Sequence, residues 1–153
     1  MKQTKTHGTA TNIIKLVLPS ISVNEGIARS VVSSFCLYLG PTATDIADIK
    51  CAVSEAVTNC IVHAYKNSVG MIYITAEAFP DNVVRITVRD KGCGIADVKQ
   101  AREPLFTTDA QNERSGLGFT VMESFTDKLT VRSSIGKGTT VTMYKKMGET
   151  SGL

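Results

Sequence analysis

Four groups of residues in this chain have the types and spacing to do chemistry. Glu55, Asn59 and His63 recur every fourth position in SEAVTNCIVHAY. On a helix, that spacing puts all three on nearly one face. The rest of the helix is largely apolar, so the polar stripe is either a solvated edge, a set of satisfied buried polar groups, or part of a site. Asp90-Lys91-Gly92-Cys93-Gly94-Ile95 leaves the end of a strand. Glycines there let backbone come close to a flat ring, and a carboxylate accepts a hydrogen bond from an exocyclic amine. Gly116-Leu117-Gly118-Phe119 opens a helix, where exposed N–H groups and the helix dipole favour an anion. Gly138-Thr139-Thr140 starts a strand. Each glycine motif taken singly is as readily a plain turn; four in this order are a stronger signal.

Two decoys fall away. Gly136-Lys137-Gly138-Thr139 has the end of a Walker A loop, but Val131 stands where that loop needs its first glycine, and the segment joins two strands instead of opening a helix. Gly92 and Gly94 do not extend to G-x-G-x-x-G, because position 97 is Asp.

The elements that must position these groups follow from pattern. Residues 12–19, NIIKLVLP, read as a strand stopped by Pro19. Ser22 and Glu25 have capping-box spacing, and a helix should run from there to about Leu39, burying Ile27, Val31 and Phe35 with Val32 and Leu39 beside them. Gly40-Pro41 ends it. Thr44 can cap a second helix, with Asp45 and Asp48 in its first turn, that reaches about Tyr65. Residues 71–79 and 83–90 read as a hairpin across Pro80-Asp81-Asn82. Residues 91–115, polar and without period, have the character of a functional lid. A short helix over about 116–125 and a second hairpin, 129–134 with 139–146, complete the chain. The order β, α, α, hairpin, lid, α, hairpin predicts an α+β fold, a two-layer α/β sandwich with a mixed sheet and helices on one face. It also predicts one domain over 12–146, with flexible tails at 1–11 and 147–153.

Composition narrows the function classes. A chain of 153 residues is about one domain. Lys and Arg total 17 against 14 Asp and Glu, and the excess of +3 is too small to imply nucleic acid. Aromatics at 6% without tryptophan argue against base-stacking platforms. No window approaches ~18 consecutive apolar residues, so no membrane partner is expected. The N-terminus has no apolar signal segment. Cys36, Cys51, Cys60 and Cys93 form no C-x-x-C pair and are expected as buried or incidental thiols in a reducing, cytoplasmic setting.

The succession E-x-x-x-N, D-x-G-x-G, G-L-G-F and G-T-T resembles the ATP-binding boxes of the gyrase, Hsp90, histidine-kinase and MutL superfamily. SEAVTNCIVHAY, RDKGCGI, EPLFTT and ERSGLGFTVMESF are more closely similar to the anti-sigma factor serine kinases of Gram-positive bacteria, in particular the sporulation anti-sigma F family. The resemblance runs from about Ile14 to Lys146 and implies a Bergerat-type ATP-binding fold. It implies ATP or ADP with Mg2+ as cofactors, Asn59 as the metal ligand, and Glu55 as general base on a serine hydroxyl. Asp90 would bind the adenine amine, with Gly92 and Gly94 shaping the pocket and Thr139 or Thr140 adding a bond near the base. Gly116 and Gly118 would cradle phosphates. Thr107 or Thr108 would meet a phosphate or stay in a solvent-exposed loop, and Arg114 would offset charge on the γ-phosphate. His63 would close the helix end or join the site. Cys60 and Cys93 adjoin the boxes as packing residues, with no activating base evident.

The implied partners are a sigma factor, an anti-anti-sigma protein carrying the acceptor serine, and a second copy of the chain in a homodimer. Glu25 and Arg29, spaced i, i+4 on the first helix, are a candidate partner surface or a simple ion pair. The competing readings are a kinase for a stress-response sigma factor, and a nucleotide-gated binding module without phosphotransfer.

Overall fold

The computed structural model describes residues 7–104 and 118–149. Strand β1 covers Asn12–Pro19 and is followed by helix α1, Val23–Cys36, which tightens into a 3-10 turn at Leu37–Leu39. Helix α2 runs over Ala43–Asn59 and continues as a π-helical turn, Cys60–Ala64. Strands β2 (Met71–Ala78) and β3 (Val83–Arg89) form the first hairpin. Short helices α3 (Val98–Ala101) and α4 (Gly118–Ser124) precede the second hairpin, β4 (Lys128–Ser134) and β5 (Gly138–Lys146).

The five strands lie in the order β1-β2-β3-β5-β4, and every neighbouring pair is antiparallel. The α+β two-layer architecture is as expected, but the sheet is antiparallel throughout and not mixed. Both hairpins are tight, and β1 and β5 each enter beside a strand that they meet head to tail. The β2–β3 turn is fixed by Pro80 and by Asn82, whose φ of 59° suits the left-handed tolerance of asparagine.

Strand alternation sorts the sheet into two faces. Ile72, Ile74, Ala76, Val84, Ile86, Val88, Val141 and Met143 point toward the helices and are buried with Ile49, Val53 and Val57 of α2. Burying each such aliphatic side chain contributes about 1.5–3 kcal/mol. Helix α1 presents Ala28, Val32 and Cys36 inward, all fully buried, while Ile27 and Val31 are 44% and 36% exposed. The expected buried stripe is therefore one residue off, about 100° around the helix. Small side chains at the contact let α1 sit close against the rest of the core.

Both predicted caps also change. Ser22 has helical angles and makes no side-chain cap bond. The cap of α2 is Thr42 instead of Thr44: its hydroxyl accepts from Asp45 N–H at 3.0 Å, and Asp45 accepts from Thr42 N–H at 2.9 Å. Met147 is buried and Gly148 N–H donates to Asp45 at 2.8 Å, so these two residues of the expected C-terminal tail belong to the packed domain. At the other end, His7 is 2.9 Å from Asp81 and Thr11 bonds to Ala78.

Candidate functional site

A cavity of about 370 Å³ opens between α2, the loop after β3, the start of α4 and the start of β5. Its lining includes Asn59, Cys60, His63, Asp90, Gly94, Gly118 and Thr139. Residues far apart in sequence meet here because β3 and β5 are neighbours. Asp90 follows β3, Thr139 starts β5, and Asp90 N–H donates to the Thr139 carbonyl at 2.9 Å.

Asp90 is 5% exposed. Its Oδ1 accepts from Gly92 N–H at 2.9 Å and from Thr139 N–H at 3.2 Å. Hydrogen bonds to a charged group contribute about 1.5–3 kcal/mol each, so the loop is held firmly around this side chain. Cys60 Sγ lies 3.6 Å from Oδ2. Burial, with the Asp90 charge next, pushes the Cys60 thiol well above its usual range, which makes it a neutral packing group and not a nucleophile.

The Asp90 loop is tied on both sides. Cys93 N–H donates to the Ala64 carbonyl, and Gly136 N–H to the Cys93 carbonyl. Tyr65 hydroxyl accepts from Lys91 N–H at 2.7 Å and donates to the Met71 carbonyl at 2.8 Å. A side chain at Gly92 would run into the Ala64 carbonyl. Gly94 has φ of 76°, and a side chain there would meet the Ser134 carbonyl. The two glycines are thus required by close approach and by backbone conformation.

Glu55 and Asn59 project from the last turns of α2 toward the first residue of α4. A Cβ placed on Gly118 would sit 3.3 Å from both Asn59 Oδ1 and Glu55 Oε2. An amide oxygen, a carboxylate and a helix start therefore converge at one point. Beyond Asn59 the helix widens: Tyr65 N–H donates to the Cys60 carbonyl at 3.3 Å, an i to i−5 bond. A π-turn breaks the four-residue rotation after Asn59, and His63 lines the same cavity as Asn59.

A family model for the histidine kinase-like ATPase domain matches residues 22–145. An anti-sigma F factor from Caldanaerobacter subterraneus subsp. tengcongensis is 54% identical over 137 residues, which cover 90% of this chain and 95% of the relative. An anti-sigma F factor from Bacillus velezensis is 46% identical over 143 residues, 93% of this chain and 97% of the relative. The chain belongs to the anti-sigma F factor family. Solved structures show the same fold at low identity. The RsbU and RsbW domains of a Mycobacterium tuberculosis protein give a TM-score of 0.67 at 22% identity, covering 92% of this chain and 34% of that one. ShkA in complex with AMPPNP gives 0.56 at 18%, covering 89% and 32%.

For this anti-sigma F family member, the structure brings together Glu55, Asn59, Asp90, Gly92, Gly94, Gly118 and Thr139. Of the two threonines left open by the sequence, Thr139 lines the cavity, while Thr140 alternates to the outer face opposite Arg89 and Arg132. Thr107, Thr108, Arg114 and Gly116 lie outside the described residues. Glu25 and Arg29 are on α1, apart from the cavity lining, and form an ion pair of 2.7 Å with Arg29 44% exposed. Ser133 was not singled out from the sequence. Its signal is period-two alternation in β4, which sets it inward and opposite Thr139. No helix among the described residues is long and apolar enough to cross a membrane.

Proposed function

We propose that the cavity binds ATP with Mg2+, and that the chain phosphorylates a serine of an anti-anti-sigma protein and restrains a sporulation sigma factor. The observation that carries this reading is the meeting of Glu55 and Asn59 at Gly118, beside a cavity that also presents Asp90 and Thr139. The names of the relatives, anti-sigma F factor, support the sigma-binding part.

The residues suit the nucleotide. Asp90 commits Oδ1 to the backbone, and Oδ2, which the Cys60 thiol approaches, is the oxygen that would accept from an exocyclic amine. Gly92 and Gly94 let the loop close against Ala64 and Ser134, which holds Asp90 at the cavity. Among the described residues no cluster of three His, Cys, Asp or Glu could hold a metal. A hard cation that keeps waters and phosphate oxygens needs only a ligand such as the Asn59 carboxamide oxygen. Asn59 would hold the ion, which would supply positive charge to offset the charge that develops during transfer. Glu55 takes the proton of the incoming serine hydroxyl. Gly118 would offer its N–H to phosphate; the resemblance would add Gly116, Arg114 and Thr107 or Thr108, which lie outside the described residues. The ATP form holds the sigma factor and phosphorylates the antagonist; the ADP form favours the unphosphorylated antagonist. The γ-phosphate provides the difference in contacts that such a switch needs.

The test is phosphotransfer to a purified anti-anti-sigma protein with Mg-ATP, read as phosphoserine by mass spectrometry. The wild type should add one phosphate. Glu55→Ala should lose about 10²–10⁴-fold in rate while ATP affinity changes little. ATP binding with no phosphoserine on any acceptor would move the reading to a nucleotide-gated sigma-binding module.

A further inference from the structure

Strand pairing sets three complete rows of side chains across the sheet face that points away from the helices. One row holds Ile13, Glu77, Arg85, Tyr144 and Lys128, and another holds Val17, Tyr73, Arg89, Thr140 and Arg132. Between them run Lys15, Thr75, Thr87, Thr142 and Thr130. The rows carry five cations and one carboxylate, in a chain whose whole excess is +3. That carboxylate is already used, because Glu77 pairs with Arg85 at 2.6 Å. Lys15, Arg89, Lys128 and Arg132 are exposed, and none of them has an ion-pair partner among the described residues. Neighbouring strands lie about 4.8 Å apart and rise about 3.4 Å per residue. Arg89 and Arg132 flank Thr140, so their backbones are about 10 Å apart. Arg85 and Lys128 stand about 13 Å away along the same two strands. The four cations mark the corners of a rectangle whose floor is the threonine row.

We propose that this outer sheet face is a docking surface for an acidic segment of a partner protein. Guanidinium groups take carboxylates in a two-pronged geometry, and the threonine hydroxyls give or accept further hydrogen bonds between them. Like charges held this close repel one another, and a segment with several carboxylates relieves that repulsion. Other occupants fit less well. The rings that could stack on bases are taken: Arg89 and Lys91 lie 4.8 and 5.0 Å from the centre of Tyr73, and Lys128 lies 5.6 Å from that of Tyr144. A flat sheet face also offers no helix to enter a DNA groove. No apolar side chain stands inside the rectangle to insert into a lipid surface, since Ile13 and Val17 belong to β1, the edge strand on the far side of β2. Two copies meeting through this face would set cation against cation. The cavity is lined by Val88 and Val141, which point to the helix side, so a segment docked here does not overlap a filled cavity.

The experiment measures fluorescence anisotropy of a labelled deca-glutamate peptide with the full chain at low salt. The wild type should bind it, and added salt should weaken the binding steeply. Arg89→Glu with Arg132→Glu should lower the affinity about tenfold or more. Lys50→Glu with Lys99→Glu makes the same change in net charge at exposed positions on α2 and α3, and should alter affinity less than about twofold. Should the Glu pair not fold, Arg89→Gln with Arg132→Gln removes the charges without reversing them and should still cost about threefold. No binding by the wild type would overturn the proposal. Equal losses in the two charge-reversed pairs would overturn it too, by showing attraction to net charge and not to this face. The same titrations with a 20-base-pair DNA duplex and with phosphatidylserine vesicles test the other polyanions. Tighter binding of either than of the peptide, lost in Arg89→Glu with Arg132→Glu, would assign the face to that occupant instead. A change in sedimentation equilibrium caused by that pair, with peptide affinity unaltered, would make the face a contact between copies and overturn the proposal as well.

Discussion

Asp90 gives Oδ1 to the backbone and meets Cys60 through Oδ2 while lining the cavity, and its proposed role there can be tested with one atom. Asp90→Asn keeps an acceptor for the Gly92 and Thr139 N–H groups and turns an amide donor toward the cavity. ATP affinity should fall by about 10- to 100-fold while the melting temperature changes little, as read by calorimetry and thermal unfolding. Equal losses in affinity and stability would assign Asp90 to the scaffold alone. At this scale much of the site was legible. Asp90, Gly92 and Gly94 follow a strand in a pattern whose chemistry needs those residue types. Glu55 and Asn59 share a helix face. His63 shares their spacing and lines the cavity with Asn59, but a π-turn lies between the two, and no local pattern in CIVHA announces that turn. Ser133 and the Cys60–Asp90 contact depend on strand register and on packing between elements, which spacing along one segment does not encode.

The elements themselves were legible where type and breakers agree, and less so where two faces compete. Strand β1 ends at Pro19 as expected, and both hairpins fall within a residue or two of their expected bounds. Helix α1 carries apolar residues on more than one side: Val32 and Leu39 are buried and Phe35 packs against the core as expected, but Ile27 and Val31 are exposed, and Ala28 and Cys36 take the inner face. The start of α2 shows how a cap can also tie down a distant segment. Asp45 completes the box with Thr42, accepts from Gly148 N–H, and has Lys145 4.0 Å away; Lys145 also bonds to Asp48 at 3.2 Å. Burial acts to raise the Asp45 pKa, but the hydrogen bonds from Gly148 and Thr42 and the Lys145 charge outweigh it and hold the carboxyl below its ordinary 3.8. A depressed folded-state pKa stabilises the fold above the unfolded value, and that contribution is lost as pH falls through the folded value. Asp45→Asn should therefore be less stable than wild type by about 1.5–3 kcal/mol at pH 7. In urea unfolding the gap should narrow steadily below a pH of about 4. A gap that stayed constant down to acid pH would show that the carboxylate's charge is not what matters.

At the scale of the molecule, the strand order is what the sequence pattern left open. Nothing in the period of β3 or β5 states that they are neighbours, yet that adjacency sets Asp90 beside Thr139. Helix α1 faces solvent with two different characters, which separates the two expected associations. Arg29 and Glu25 form an exposed pair worth about 0.3–0.5 kcal/mol to the fold. Arg29→Glu should leave stability nearly unchanged and weaken binding of the sigma factor or the antagonist in a surface-binding assay. Unchanged affinity for both would place the partner surface elsewhere. Ile27 and Val31 are the apolar exposed residues of the same helix. If the expected homodimer uses them, Ile27→Glu should shift sedimentation equilibrium toward monomer; an unaltered dimer would locate the interface on another face. The bridge made by Tyr65 has an optical consequence. The chain has no tryptophan and only four tyrosines, so ultraviolet emission comes from those rings alone. Tyr65 is wedged against Gly70, and its hydroxyl is bonded to the backbone of the loop that carries Asp90. Any movement of that loop on ligand binding therefore reaches a phenol directly, and the difference in emission between the wild type and Tyr65→Phe makes the protein its own dye-free titration signal.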